Sequence, residues 1–279
     1  MSQLPAIKKR IKTISNIRQV TKAMETVTQT RVGKVRQNAN QAKYYQALFA
    51  DIFAQICAAA EHGKIIPSGA PETHYFVFLA HKGFCGGFND KLLTKLQEVL
   101  SAEAEQSSFF YMLGRHNTKL AHYITQERLR INVSKKHQEE AKSTLAELVA
   151  KICRGQNIEI YFAYNELVSI LEHKSTVKKI YPPPNGTSLA RRQEIILEPN
   201  YETIYPNILR SYLAASLDKV YWESLAGEHY ARLLSMHDAN RNAQLILTNL
   251  NLQYNKTRQT SINQELSEVV SAFDVLKEY

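Results

Sequence analysis

Apolar residues recur every three or four positions at both ends of this chain and crowd into short unbroken runs in its middle. Near the start, Ile7, Ile11 and Ile14, then Val20, Met24 and Val27, fall on one side of a helix. Near the end, Met236, Ala239, Ala243, Ile246 and Leu250 step along a second helix, and Ile262, Leu266, Val269, Phe273 and Leu276 continue it. These spacings predict heptad seams. Between them the stretch "NLQYNKTRQTSINQE" is polar nearly all round. Helix breakers agree with the pattern. No proline stands between Pro5 and Pro67 or after Pro206, and Gly227 is the one glycine beyond Pro206.

A helix over residues 6–60 would be roughly 80 Å long, and one over 207–277 roughly 105 Å. Such helices are too long for a ball of this size and are expected to run side by side. The middle differs: "HYFVFLA" (74–80), "SFFYML" (108–113) and "IEIYFAY" (158–164) read as buried strands. They alternate with helical stretches around 89–105, 116–126 and 137–153, which predicts a small parallel sheet with helices on its faces. Pro67–Pro71 reads as an entry linker and residues 182–186 as an exposed turn. The expected fold class is α/β: a long antiparallel two-helix coiled coil of the terminal segments plus a small Rossmann-like domain. The expected division is 1–60, 74–195 and 207–279.

Charge adds to this picture because it is concentrated. Residues 1–43 carry ten lysines and arginines against one acid, Glu25, and so hold the whole net charge of +9. Such an arm seeks nucleic acid, an anionic membrane or an acidic protein surface. The arm has no helix-turn-helix, zinc motif or aromatic interleaving that would single out nucleic acid. No apolar window is long enough to span a bilayer, and the N-terminus lacks a secretory h-region. Cys57, Cys85 and Cys153 are far apart and lack metal spacing, so reduced thiols are expected and neither a metal nor a cofactor is implied.

Chemistry, if present, would be sought in "HKGFCGGFNDKL" (81–92), a glycine loop between strand and helix. Neither GxGxxG nor GxxxxGK[ST] occurs there, and Phe84 and Phe88 stand where a phosphate would approach. A structural turn is the expectation. Cys85 as a nucleophile would need a basic partner, and His81, four residues back, has nothing to orient it.

Five stretches then fall in order: "VTKAME" (20–25), "GFCGGFN" (83–89), "YNELVS" (164–169), "WESLAGEH" (222–229) and "YNKTRQTSINQELSEVV" (254–270). Together they resemble the γ-subunit family of F-type ATP synthases, over essentially the whole chain. The resemblance implies a non-catalytic central rotor shaft that transmits rotation between a membrane c ring and a catalytic ring of α and β subunits. It implies that the middle domain packs with the ε subunit, and that the protein sits peripherally on the cytoplasmic face of a bacterial inner membrane, or the matrix side in an organelle. Residue by residue, Arg258, Gln259, Asn263 and Glu265 fall on positions that grip loops of the β subunits, and Lys22 and Met24 on the segment facing β's acidic lever. The glycine motif falls on a signature that binds no nucleotide. Several positions depart from the family pattern: His81-Lys82 replaces an acid-base pair, Asn263 replaces a threonine, and residues 25–31 and 236–243 differ. A small-molecule enzyme using the 83–89 loop and a basic coiled-coil adaptor stand as alternatives.

Overall fold

The computed structural model describes residues 4–59, 68–102, 108–114, 137–169, 173–183 and 197–277. The elements in chain order are α1 (Leu4–Ala59), β1 (Ser68–Phe78), α2 (Phe88–Ala102), β2 (Ser108–Leu113), α3 (His137–Cys153), β3 (Gln156–Leu167), β4 (His173–Tyr181) and α4 (Tyr201–Lys277). The predicted helix around 116–126 lies outside the described residues, as do residues 184–186 of the predicted turn. The chain divides into two compact units, one of residues 1–29 with 233–279 and the other of residues 30–232.

The larger unit is built on a four-stranded sheet of order β2-β1-β3-β4. β1 pairs in parallel with β2 and β3, as the β-α-β order requires. β4 pairs antiparallel with β3, so the sheet is mixed rather than purely parallel. A strand of composition "HKSTVKKIY" has too few apolar residues to announce itself, because it lies at an edge with much of one side wet. β1 also begins earlier than its apolar run. Residues 68–71, read as linker, belong to this strand: Ser68 pairs with Gln156 of β3, and the register shifts between Ser68 and Glu72.

Alternation along β1 sorts the core onto two faces. Phe76 and Phe78 join Ile160, Phe162, α3 (Leu145, Leu148, Ile152), Phe53 of α1 and Leu209, Leu213 and Leu217 of α4. Tyr75, Val77 and Leu79 face the other way onto Leu92, Leu93 and Leu96 of α2. Asn200 starts α4 by accepting from Thr203 N through Oδ1 at 3.0 Å. Pro206 then falls within the helix, one turn in, where it cannot donate to the carbonyl four residues back.

In the smaller unit α1 and α4 run antiparallel, and the buried seams differ from the predicted ones. On α1 the buried residues are Thr21 and Thr28, whereas Val20 and Val27 are 60% and 51% exposed. Threonine fits here because each hydroxyl is satisfied on its own helix: Thr21 Oγ1 donates to Arg18 O at 2.9 Å and Thr28 Oγ1 to Met24 O at 2.7 Å. What remains facing the partner helix is a methyl. On α4 the buried line is Met236, Ala243, Leu247 and Leu250, with Ile246 exposed. It continues at half-buried Tyr254, Thr257 and Ser261 and then stops. The predicted last seam is not buried: Ile262, Leu266, Val269 and Phe273 are all exposed.

Candidate functional site

The glycine turn is the most heavily tied-down loop among the described residues of the larger unit. Its anchors come from α4, about 150 residues away. Glu228 accepts from His81 N at 2.8 Å and Lys82 N at 3.2 Å, and lies 3.3 Å from His81 Nδ1. Arg232, one turn on, donates to Glu228 Oε1 at 2.5 Å, to Lys82 O at 3.0 Å and to Gly83 O at 3.1 Å. The two side chains are 3% and 5% exposed. A buried ion pair thus clamps three consecutive residues of the turn through their backbone. Burial pushes the Glu228 carboxyl up, but hydrogen bonds from His81 and Arg232 outweigh it and hold the group at about 2.

Other members of the sequence motifs meet at the same joint. Asn89 Oδ1 accepts from Ala80 N at 2.9 Å, closing the strand end. Asn165 Nδ2 donates to Phe88 O at 2.9 Å and its Oδ1 accepts from Ser175 at 2.6 Å. Gly227 lets Phe88 approach α4, since a Cβ there would lie 3.2 Å from the Phe88 ring. Three of the stretches that read as separate signatures are therefore one contact.

This geometry commits the entry to the loop to a contact within the chain. The backbone N–H groups of His81 and Lys82 bond a carboxylate of the same chain. His81 Nδ1 is aimed at Glu228 rather than at Cys85, whose Sγ contacts Lys82 O at 3.7 Å. Burial and the Glu228 charge both push the Cys85 thiol up, away from the nucleophilic thiolate. Among the described residues no group of His, Cys, Asp and Glu is arranged to hold a metal ion. No described helix is long and apolar enough to cross a membrane.

The turn carries strain at its tip. Phe84 is 69% exposed and has φ of 63°, a left-handed conformation that bulky residues adopt at a cost. Gly86, φ 59°, takes the same conformation without one. Phe84→Gly is expected to leave stability unchanged or raise it by up to about 1 kcal/mol in a urea melt. A loss larger than that would mean the ring itself holds the turn.

The six residues singled out in the sequence all lie in the smaller unit. Lys22 is exposed and reaches Glu25 Oε2 at 3.2 Å; His237 Nδ1 approaches Glu25 Oε1 at 3.3 Å. Partial burial pushes the Glu25 carboxyl up, but bonding to His237 and Lys22 leaves it below its ordinary value. Met24 is half-buried. Arg258, Gln259, Asn263 and Glu265 are exposed, on a segment of α4 where no residue from 262 to 273 is buried. Glu228 and Arg232 escaped sequence reasoning. Their four-residue spacing on a helix was the available signal, but nothing in it names the turn they hold.

Comparison with known proteins agrees with this architecture. A protein-family model described as ATP synthase matches residues 3–276. The ATP synthase gamma chain of Pelotomaculum thermopropionicum is 27% identical over 286 residues, covering 99% of this chain and 100% of that one. The gamma chain of Clostridium acetobutylicum is 28% identical over 277 residues, covering 97% of each. The fold is similar to a chain in the rotor of Euglena gracilis mitochondrial ATP synthase, with a TM-score of 0.63 at 15% identity, over 93% of this chain and 99% of that one. A central-stalk chain of the Tetrahymena thermophila mitochondrial enzyme gives a TM-score of 0.58 at 15% identity, over 79% and 99%. By sequence over nearly its full length, and with a fold to match, the chain belongs to the ATP synthase gamma-chain family.

Proposed function

We infer that this chain is the non-catalytic central-stalk rotor subunit of an F-type ATP synthase, transmitting rotation between the membrane c ring and the catalytic ring of α and β subunits. The observation that carries the reading is the surface of the smaller unit. Ile17, Val20 and Val27 on α1 and Leu252, Leu266 and Phe273 on α4 are all more than 40% exposed. Apolar side chains on the outward faces of a two-helix coil call for protein packed around it. The lysines and arginines of α1 call for that protein to be acidic. A turn clamped to α4 through its backbone fits a part that transmits force rather than yielding to it.

In this reading the terminal segments 1–60 and 207–279 form the shaft and 74–195 the foot, which packs with the ε subunit and rests on the c ring. Lys22 and Met24 face the acidic lever of β, and Arg258, Gln259, Asn263 and Glu265 grip β loops. The protein lies peripherally on the cytoplasmic face of a bacterial inner membrane, or on the matrix side if organellar, and binds neither cofactor nor nucleic acid. Ion coupling, to protons in this reading, takes place elsewhere in the complex. An asymmetric shaft couples sites because each orientation makes different contacts with each β subunit.

Purified alone, the chain is expected to show no ATPase activity; added to α and β subunits, it is expected to bring ATP turnover to the mixture. Turnover by the isolated chain that depends on Cys85 or Gly86 would refute the assignment, as would failure to assemble with α and β.

A further inference from the structure

Two imidazoles flank the buried Glu228–Arg232 pair, one beside each charge. His81 Nδ1 lies 3.3 Å from Glu228 Oε2. His229 Nδ1 lies 3.5 Å from Arg232 Nη1, where a neutral ring can accept the guanidinium's proton and a protonated one cannot. His229 is half-buried. The charged groups acting on it are Glu228 and Arg232 on α4, Arg31 on α1 and Lys82 on the turn. Three cations thus surround the ring, and the single carboxylate among them is already bonded to Arg232, His81 and Lys82.

We propose that His229 is a proton-sensitive latch on the glycine turn. Neutral, it helps seat the Arg232 guanidinium against the carbonyls of Lys82 and Gly83. Protonated, it repels that guanidinium and loosens its hold on the carbonyls of Lys82 and Gly83, while Glu228 keeps the N–H groups of His81 and Lys82. The geometry and the electrostatics point the same way. Burial pushes the His229 imidazole down; Glu228 pulls it up, and Arg232, Arg31 and Lys82 press it down again, leaving it below its ordinary value. A base so depressed in the fold contributes stability that is present above the unfolded imidazole range and is lost as pH falls through that range toward the folded value. The device makes attachment of the turn to α4 respond to acidification, whatever the chain is assembled with.

Cys85 reports the opening, because it is a buried residue of the turn itself, clustered with Ala231 of α4. The full-length chain would be labelled with 4,4′-dithiodipyridine between pH ~7.5 and ~5.5, the window in which imidazoles titrate. Mass spectrometry separates Cys85 from Cys57 and Cys153, and each rate is divided by that of the urea-unfolded chain at the same pH. The normalised Cys85 rate is expected to rise at least about threefold on acidification. In His229→Gln it is expected to stay flat, and in His81→Gln to keep rising. Arg31→Gln removes one opposing cation and is expected to move the rise to higher pH, which tests the surroundings should His229→Gln fold poorly. A flat wild-type profile would overturn the latch. So would a rise in His229→Gln as steep as wild type, a rise abolished by His81→Gln, or an Arg31→Gln profile that does not move.

Discussion

Replacing Arg232 with alanine is expected to destabilise the sheet-bearing unit by about 3–5 kcal/mol, the cost of stranding one member of a buried ion pair. The structure says why the value belongs at the upper end of single-residue effects. Glu228, 3% exposed in the intact fold, would be left with backbone N–H groups and His81 beside its charge. The carbonyls of Lys82 and Gly83 would lose their donor in the same step. Urea denaturation read by far-ultraviolet circular dichroism checks it, and a loss under about 1 kcal/mol would show that the clamp is not what holds the turn. A Glu228→Met/Arg232→Met pair separates the cost of an orphan charge from the worth of the bridge. It is expected to be more stable than Arg232→Ala, because two apolar side chains leave no buried charge behind.

Acid is expected to act on the same pair. The Glu228 carboxyl is held at about 2 in the fold against an ordinary 4.5. A depressed acid contributes stability that is present above its unfolded value and is lost as pH falls toward the folded one. Wild-type stability should therefore decline between pH 4.5 and 2. In the double methionine variant that part of the decline should be absent.

Periodicity carried the architecture a long way, and where it failed it failed for local reasons. It placed long helices at both ends and three of the four strands, because continuous apolar runs and unbroken heptads are strong signals. It chose the wrong residues within the α1 seam. Hydropathy ranks Val20 and Val27 above Thr21 and Thr28, but a threonine whose hydroxyl bonds its own helix buries as a small apolar group. It also read the Ile262–Phe273 line as a heptad seam, whereas Ile262, Leu266, Val269 and Phe273 are exposed in the fold. An apolar helical face says that something covers it, not which chain supplies the cover. β4 was missed because edge strands tolerate lysines. The clamp was invisible for another reason. Glu228 and Arg232 are a common helical pair in sequence, and only the fold brings them to a turn 150 residues away.

The exposed C-terminal segment leads to the other large effect. Arg258→Ala with Gln259→Ala is expected to lower ATP turnover of the assembled α, β and γ subunits by at least about tenfold, the loss of one charge-assisted hydrogen bond and one neutral one. The chain's own stability should change by no more than about 0.5 kcal/mol, as for surface residues without a buried partner. That split is what distinguishes a contact from a support. Arg258 and Gln259 are exposed on a helix whose neighbouring residues from 262 to 273 are exposed as well. Their removal therefore has little to disturb within the chain and can act only through what surrounds it. Arg232→Ala should show the reverse, with lost stability in the isolated chain. Unchanged turnover in the double variant would mean that β is gripped elsewhere, and the exposed apolar line of Leu266, Val269 and Phe273 would then be the segment left to make the contact.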